Sequence, residues 1–313
     1  MNRPQIISAD NAGHLAEVAQ VQCGFITEAR WSNDGSQLAV AHGGGVWLWQ
    51  GGFGAAPDRA IDSDGAPVKG IAFSPDGTVI ATASADTTVR LWMTRMDQCL
   101  FILRGHAGAV NCVTFNTHGH MLASGGGDRD VRLFNMLDSS ALSALHGHED
   151  EVTGVAFGLE SQRLASGSRD HTIRLWDMST RQTVHVIKHD DWVRRLTASP
   201  DGTLLASASK DGTVKVISFA TGEVVRTISA HEGGVDCAAF SPDGLLLATG
   251  GRDKAIKLWN LSPSSDGYTM SQPVAVLAQH TRPVLTLAFH PVGNLLLSGS
   301  GDNTIRLWGV GDG

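Results

Sequence analysis

Residues 147–177 read GHEDEVTGVAFGLESQRLASGSRDHTIRLWD, and this stretch decides the fold of the chain. It opens with a Gly-His pair and closes with a Trp-Asp pair. Between them, the runs VTGVAF, RLASGS and TIRLW alternate apolar and polar residues and are separated by short turn-forming segments. Alternation with a period of two is typical of half-buried antiparallel strands. The stretch therefore predicts three strands and one set of polar side chains: His148, Ser166, Asp170 and Trp176.

The same unit recurs along nearly the whole chain. Its closing position repeats at intervals of 41 to 43 residues, and of 49 before the last unit, at Trp49, Trp92, Phe134, Trp176, Ile217, Trp259 and Trp308. Gly-His returns at 105–106, and Leu-Trp returns at 91–92, 258–259 and 307–308. This pattern resembles the WD40 repeat. The resemblance implies an all-β fold, a seven-bladed β-propeller whose blades are four-stranded antiparallel sheets, as a single domain over residues 14–310.

The two ends of the chain are expected to close the ring together. Only GVGDG follows Trp308, so the last unit lacks its outer strand, whereas the alternating run HLAEVAQV at 14–21 precedes the first unit. In the family, the N-terminal strand completes the C-terminal blade, and residues 14–21 match that role. We expect residues 1–13 to be a loosely held arm. The Ser/Pro/Gly-rich stretch 261–273 predicts a flexible loop in the sixth unit.

Bulk composition disfavours several function classes. The formal net charge of −7 disfavours nucleic acid as the main partner, which would require a basic face. The four cysteines show no CxxC pair and no metal-ligand spacing, so neither a disulfide framework nor a metal site is expected. No cofactor motif appears. Nothing resembles a signal peptide or a membrane span, and we therefore expect a cytoplasmic protein with no membrane partner.

The recurring polar residues predict a structural network. In the family, the Asp bonds the His, the His reaches the Ser or Thr, and that oxygen accepts a hydrogen bond from the Trp indole. Besides the fourth unit, the sixth and seventh hold complete sets: His231, Thr249, Asp253 and Trp259, then His280, Ser298, Asp302 and Trp308. Phe134 and Ile217 remove the indole donor from two units. The first unit has lost the network, with Gln22, Val40 and Gly43–Gly45 in its positions.

Ser, His and Asp together also invite comparison with a hydrolase triad. Three observations favour a structural role instead: the set repeats in several units, Trp is a fourth member, and no GxSxG-type turn surrounds these serines. A second enzymatic alternative is a carboxylate pair at the channel mouth, Asp64 with Asp86, because paired carboxylates can perform acid–base chemistry. The simpler interpretation is that Asp64 is a solvated loop acid.

Partner binding is expected where propellers of this family commonly bind, on the face called the top. In the family, three positions of each unit point to the top face. Two of them flank the first apolar residue of the first strand, and the third precedes the Asp of the turn between the second and third strands. One sector combines a Trp with several cations, Arg169, Trp192, Arg194, Lys210 and Arg252, and further candidates are Glu151, Asp236 and Lys69. This chemistry suits an acidic or phosphorylated peptide.

The sequence therefore predicts a non-catalytic scaffold that binds a partner protein or peptide on the top face. We expect a monomeric propeller that works within a larger complex. Two alternatives from other classes stay open: an enzyme with a site at the channel mouth near Asp64 and Asp86, and a nucleic-acid-binding adaptor. The adaptor would need a basic face larger than the sector just described.

Overall fold

The alternating runs form 28 strands in the part of the chain that the structure describes. The structure is a computed structural model that describes residues 5–51, 53–54, 56–63, 65–96, 98–262 and 272–311. The strands group into seven antiparallel sheets of four strands each. The expected all-β, seven-bladed propeller is therefore confirmed.

Each blade is one sheet, with its first strand beside the central channel and its fourth strand at the circumference. Blades 1 and 2 comprise β2 (Ile26–Trp31), β3 (Gln37–His42), β4 (Gly45–Gln50), β5 (Arg59–Asp62), then β6 (Val68–Phe73), β7 (Val79–Ser84), β8 (Val89–Met93) and β9 (Cys99–Leu103). Blades 3 and 4 comprise β10 (Val110–Phe115), β11 (Met121–Gly126), β12 (Val131–Asn135), β13 (Ala141–Leu145), then β14 (Val152–Phe157), β15 (Arg163–Ser168), β16 (Thr172–Asp177) and β17 (Gln182–Lys188).

The remaining blades follow the same order. Blades 5 and 6 comprise β18 (Val193–Ala198), β19 (Leu204–Ser209), β20 (Thr213–Ser218), β21 (Val224–Ser229), then β22 (Val235–Phe240), β23 (Leu246–Gly251), β24 (Ile256–Asn260) and β25 (Ala275–Leu277). Blade 7 comprises β26 (Val284–Phe289), β27 (Leu296–Ser300), β28 (Thr304–Val310) and the N-terminal strand β1 (Leu15–Gln22). The described residues also form two short 3-10 helices, Ala12–His14 and Leu159–Ser161.

Apolar side chains pack face to face between neighbouring blades. Trp176 of blade 4, for example, is 2% exposed and belongs to a cluster with Cys112 and Val131 of blade 3. A single blade could not bury both faces of its sheet, so the stacking of neighbours supplies the core. None of the helices in the described ranges is long and apolar enough to cross a membrane.

The N-terminal strand closes the ring, as expected. β1 pairs antiparallel with β28 from Leu15 opposite Val310 to Gln22 opposite Thr304. The segment before it is held more firmly than the loose arm we expected. Ile7 is 1% exposed within the core between blades 6 and 7, and its N–H donates to the Gly293 carbonyl at 2.8 Å. The Ile6-Ile7 pair was too short a signal to predict this anchor.

Blade 1 shows how the degenerate first unit still forms a sheet. The indole of Trp49 donates to the Gly54 carbonyl at 3.1 Å instead of to a serine or threonine. At the turn between β3 and β4, Gly45 has φ of +148°, and a Cβ there would lie 1.9 Å from the Ile61 carbonyl oxygen. Only glycine fits this close approach to the neighbouring strand. In the sixth unit, most of the insertion 261–273 lies outside the described residues.

Candidate functional site

The polar residues of the fourth unit are joined into one chain of hydrogen bonds. Asp170 accepts from Nδ1 of His148 at 2.7 Å, Nε2 of His148 lies 2.7 Å from the Ser166 hydroxyl, and that hydroxyl accepts from the indole of Trp176 at 2.8 Å. The links join the top loop to the second and third strands of the blade. Because Ser166 is 0% exposed, a substrate has no access to its hydroxyl.

The ionisation of the aspartate fixes where the protons lie. Burial alone would raise the pKa of Asp170, but hydrogen bonds from His148 and Thr172 outweigh it and hold the pKa well below its usual range. The carboxylate is therefore an acceptor, so Nδ1 of His148 carries a proton, and in a neutral imidazole Nε2 then accepts from Ser166. The serine hydroxyl is consequently both a donor and an acceptor, and all four side chains are satisfied.

The same chain of bonds is complete in blades 6 and 7 and truncated in others. His231 and Trp259 meet at Thr249, at 2.8 and 2.9 Å, and His231 bonds Asp253 at 2.7 Å. In blade 7, His280, Ser298, Asp302 and Trp308 are joined by three bonds of 2.8 Å. In blade 3, His106 bonds Ser124 and Asp128, both at 2.8 Å, but Phe134 supplies no donor.

The surroundings of Asp86 do not support the carboxylate pair, Asp64 with Asp86, that was considered as an enzyme site. Asp64 lies outside the described residues. Asp86 accepts from Thr88 and pairs with Arg90 at 2.8 Å. Although burial opposes the shift, the Thr88 bonds hold the pKa of Asp86 below its usual value. A general acid held beside a second carboxylate would have a raised pKa instead.

A β-bulge on every first strand aims one side chain at the mouth of the channel. In each blade the pairing of first and second strands shifts register across a single residue. Bulges re-aim side chains and increase local twist. The bulged residues are Thr27, Lys69, Asn111, Thr153, Arg194, Asp236 and Leu285, which are all among the positions predicted to point to the top face.

Neighbouring blades are tied together through these bulged residues. Thr27 donates to the Val68 carbonyl at 2.8 Å, and Lys69 donates to the Asn111 amide oxygen at 2.9 Å. Asn111 in turn donates to the Val152 carbonyl at 3.0 Å, and Thr153 donates to the Val193 carbonyl at 2.6 Å. The mouth is consequently a preorganised rim of polar side chains. Lys69 therefore helps to build the rim as well as presenting a charge.

The structure brings the predicted Trp and cations together around one ring. The guanidinium carbon of Arg169 lies 4.9 Å from the Trp192 ring centroid, and Nζ of Lys210 lies 4.5 Å from it. Both distances are within the range of cation–π attraction. Trp192 is half-buried. Its ring is thus a partly covered platform.

Each cation of this sector also has an acidic partner. Arg169 pairs with Glu151 at 3.0 Å and Lys210 with Asp191 at 3.1 Å. Asp236, which is 6% exposed, contacts Arg194 at 2.9 Å and Arg252 at 2.8 Å. Burial raises the pKa of Asp236, and the two guanidinium groups oppose that shift. Glu151 and Asp236 therefore hold the cations in place.

A cavity of about 300 Å³ opens at this rim. Its apolar wall is formed by Phe25, which is 60% exposed, together with Leu285 and Trp192. Among the residues that the structure describes, the charged lining is one carboxylate, Asp236, and five cations: Lys69, Arg169, Arg194, Arg195 and Arg252. The chain as a whole carries a formal net charge of −7, so this mouth differs sharply from the average surface.

Sequence reasoning missed a charge pair inside the channel. Arg195 of blade 5 donates to the Thr27 carbonyl of blade 1 at 3.1 Å and lies 3.5 Å from Glu28, which is 4% exposed. Arg30 contacts the same carboxylate at 2.7 Å. Strict alternation would place Arg194 and Arg195 on opposite faces, but the bulge at Arg194 breaks it. When the seven units are aligned, Glu28 and Arg195 occupy a position that holds glycine, cysteine or threonine in the other five units. Two charged residues at a position that is otherwise small and uncharged were the available signal.

Comparison with known proteins agrees with this architecture. The WD40 family profile, described as WD domain, G-beta repeat, matches residues 60–93, 97–135, 139–177, 181–218, 222–260 and 271–309. The chain is similar to the Notchless protein homolog of Arabidopsis thaliana, at 36% identity over 63 residues that cover 20% of this chain and 13% of that protein. It is also similar to Protein HIR1 of Cryptococcus neoformans var. neoformans serotype D, at 35% identity over 83 residues that cover 26% of this chain and 8% of that protein.

The chain thus spans only a small part of the length of these relatives. The family profile, in contrast, matches well over half of the chain, and its segments fall on blades 2 to 7 and the outer strand of blade 1. The eroded motif of blade 1 accounts for the missing seventh match. The chain belongs to the WD40 family.

Proposed function

We propose that the chain is a non-catalytic interaction scaffold that binds a partner peptide at the top mouth of its channel. The observation that carries the proposal is the charge of the mouth, where five cations and one carboxylate line a cavity in a protein of net charge −7. Its neighbouring apolar wall of Phe25, Leu285 and Trp192 would contact an apolar residue of the same peptide.

The ligand class follows from this combination. A carboxylate or phosphate entering the cavity gains from Arg194 and Arg252, which are held by Asp236 and so are already oriented. Because Glu151, Asp191 and Asp236 compete for the same cations, we expect moderate affinity with strong salt dependence. We therefore propose an acidic or phosphorylated segment with an adjacent apolar residue, presented by another protein.

Fluorescence anisotropy with defined peptides tests this proposal. The probes are a labelled peptide that alternates glutamate and leucine, its phosphoserine counterpart and a glutamine counterpart. Wild-type protein should bind the two charged probes at least about tenfold more tightly than the glutamine probe. Trp192→Ala should weaken binding by a similar factor with the melting temperature unchanged. Arg194→Ala should weaken binding as well, and it should also lower the melting temperature because it removes one partner of buried Asp236.

Arg282→Ala is the matched control, since Arg282 is an exposed cation on the same face that does not line the cavity. It should bind the probes like the wild type. Retained binding in both Trp192→Ala and Arg194→Ala would refute the site. Equal binding of the glutamine probe would refute the ligand class.

A further inference from the structure

A second surface far from the channel mouth has no role in the proposed function. On the circumference of blades 2 and 3, five large apolar side chains are exposed: Met96 (56%), Phe101 (51%), Ile102 (45%), Leu137 (80%) and Leu142 (36%). They lie on the two outer strands, β9 and β13, and on the turns that lead into them at the bottom face. Clustered exposed apolar residues mark interaction sites more often than scattered ones do.

The outer strands of blades 2 and 3 lack the charged residues that the outer strands of blades 1, 4, 5 and 7 carry. β9 reads CLFIL and has no charged residue, and the neighbouring β13 reads ALSAL. Charged residues lie on the other outer strands of more than three residues: Glu17 on β1, Arg59 and Asp62 on β5, Lys188 on β17, and Arg226 on β21. Because an open strand edge pairs readily with another chain, proteins usually place charges there.

The backbone of β9 offers a place for one more strand. Leu103, Ile102 and Phe101 face Val89, Arg90 and Leu91 of β8 on one side. On the other side of Leu100–Leu103, no strand lies among the residues that the structure describes. An extended segment is the form of chain that satisfies such an edge, because its amides and carbonyls match those of the strand.

A cavity of about 380 Å³ lies beside this edge, between blades 2 and 3. Leu100 and Phe101 of blade 2 and Phe115 and Met136 of blade 3 form its apolar lining. His118 and His120, whose ring centroids are 6.3 Å apart, border it. The carboxylate of Asp76, which also lines it, accepts hydrogen bonds from Ser74 and Thr78. The cavity therefore suits one large apolar side chain.

We propose that β9 accepts an extended, uncharged segment of a partner protein as a fifth strand, with one large apolar residue of that segment in the adjacent cavity. The uncharged sequence of β9 selects against charged residues in the segment, and the cavity selects for an aromatic or branched aliphatic one. Two copies of this chain each carry a net charge of −7 and repel each other, which favours a different protein as the occupant. A scaffold with this surface would hold one partner at its mouth and another at its rim.

Anisotropy titration with a designed strand peptide tests the proposal. The probe is a labelled Thr-Val-Thr-Phe-Thr-Val-Thr peptide with blocked ends, and its control has methylated amides that cannot pair with a strand edge. The probe should bind wild-type protein, whereas the methylated peptide should bind at least about tenfold more weakly. Ile102→Lys should weaken binding of the probe by a similar factor.

Val186→Lys is the matched control variant. Val186 on β17 is 46% exposed and faces Arg174, just as Ile102 is 45% exposed and faces Arg90. This variant should bind the probe like the wild type, and so should Trp192→Ala, which separates this surface from the channel mouth. Equal binding by Ile102→Lys, or no binding at about 1 mM probe, would overturn the proposal. A wild-type dimer that Ile102→Lys dissociates in light scattering would also overturn it, because the occupant would be a second copy.

Discussion

Removing the central hydroxyl of the fourth-blade network should cost more than removing its counterpart in blade 3. In the wild type, the Ser166 hydroxyl bonds both His148 and Trp176, at 2.7 and 2.8 Å, whereas the Ser124 hydroxyl bonds His106 alone, at 2.8 Å. Both serines are 0% exposed. Ser166→Ala therefore leaves two buried polar groups unsatisfied, and Ser124→Ala leaves one.

The magnitude follows from the cost of an unsatisfied buried group, about 1–3 kcal/mol each. Ser124→Ala should lower the free energy of unfolding by about 1–3 kcal/mol, and Ser166→Ala by about twice as much. The entropy of unfolding, about 2.1 cal/mol/K per residue, gives about 0.7 kcal/mol/K for 313 residues. Each additional kcal/mol should therefore lower the melting temperature by about 1.5 °C.

Urea titration followed by circular dichroism, with calorimetry for the melting temperatures, measures the difference. Trp176→Phe provides the internal control, because it copies the Phe134 of blade 3. When Trp176→Phe is already present, Ser166→Ala should lower the free energy of unfolding by no more than Ser124→Ala lowers it in the wild type. Equal costs for Ser166→Ala and Ser124→Ala in the wild-type background would refute the idea that the indole bond stabilises the blade.

Three further predictions concern pH, ring closure and the channel. Burial lowers the pKa of His106, His231 and His280, and of their counterpart His189 in blade 5, which bonds Asp211 at 2.8 Å, below the unfolded value of about 6.5. Their contribution to stability is therefore fully present above pH 6.5 and is lost as the pH falls from there through the folded pKa, and a melting temperature that is highest at pH 5 would contradict this. Deletion of residues 1–22 should cost at least about 3 kcal/mol, since Ile7 and Leu15 alone contribute about 1.5–3 kcal/mol each; an unchanged melting curve would argue against closure by β1. Arg195→Met should destabilise the fold by about 3 kcal/mol because it strips a partner from buried Glu28, and adding Glu28→Gln should recover part of that loss in urea titration.

The acidic groups of the network add a second pH window. Although burial opposes the shift, hydrogen bonds from Thr213 and Thr304 lower the pKa of Asp211 and Asp302 to about 2. A carboxylate with a lowered folded pKa stabilises the fold above its unfolded pKa, about 3.9, and loses that contribution as pH falls. Acid unfolding monitored between pH 4 and 2 should therefore be progressive, and Asp302→Asn should reduce the loss in this window.

Much of the architecture was predictable because it depends on a local pattern repeated many times. Alternation identifies each strand, and the recurring closing position sets the number of blades. The strand at 14–21 was predictable as well, because the last unit lacks a fourth strand. The burial of Ile7 was not predictable, since two adjacent apolar residues in a short segment do not indicate which surface they will cover.

The candidate site was predictable in composition but not in geometry. Counting positions within the units placed Trp192, Arg169 and Lys210 on the same rim, yet the sequence did not show that both cations lie over the indole ring. Nor did it show that Asp236 lies between Arg194 and Arg252, because these three residues come from first strands and turns of two different blades.

The sequence by itself determined the blades, because hydrophobic alternation and turn residues act between near neighbours in the chain. It also determined the serine, histidine, aspartate and tryptophan network, whose members all fall within one unit. Only the tertiary structure decided what the seven blades create together. The bulges turn Arg194 and Arg195 toward the same channel, and closure of the ring brings Arg195 to Glu28. These contacts depend on distances across the ring, and local preferences of the chain do not encode such distances.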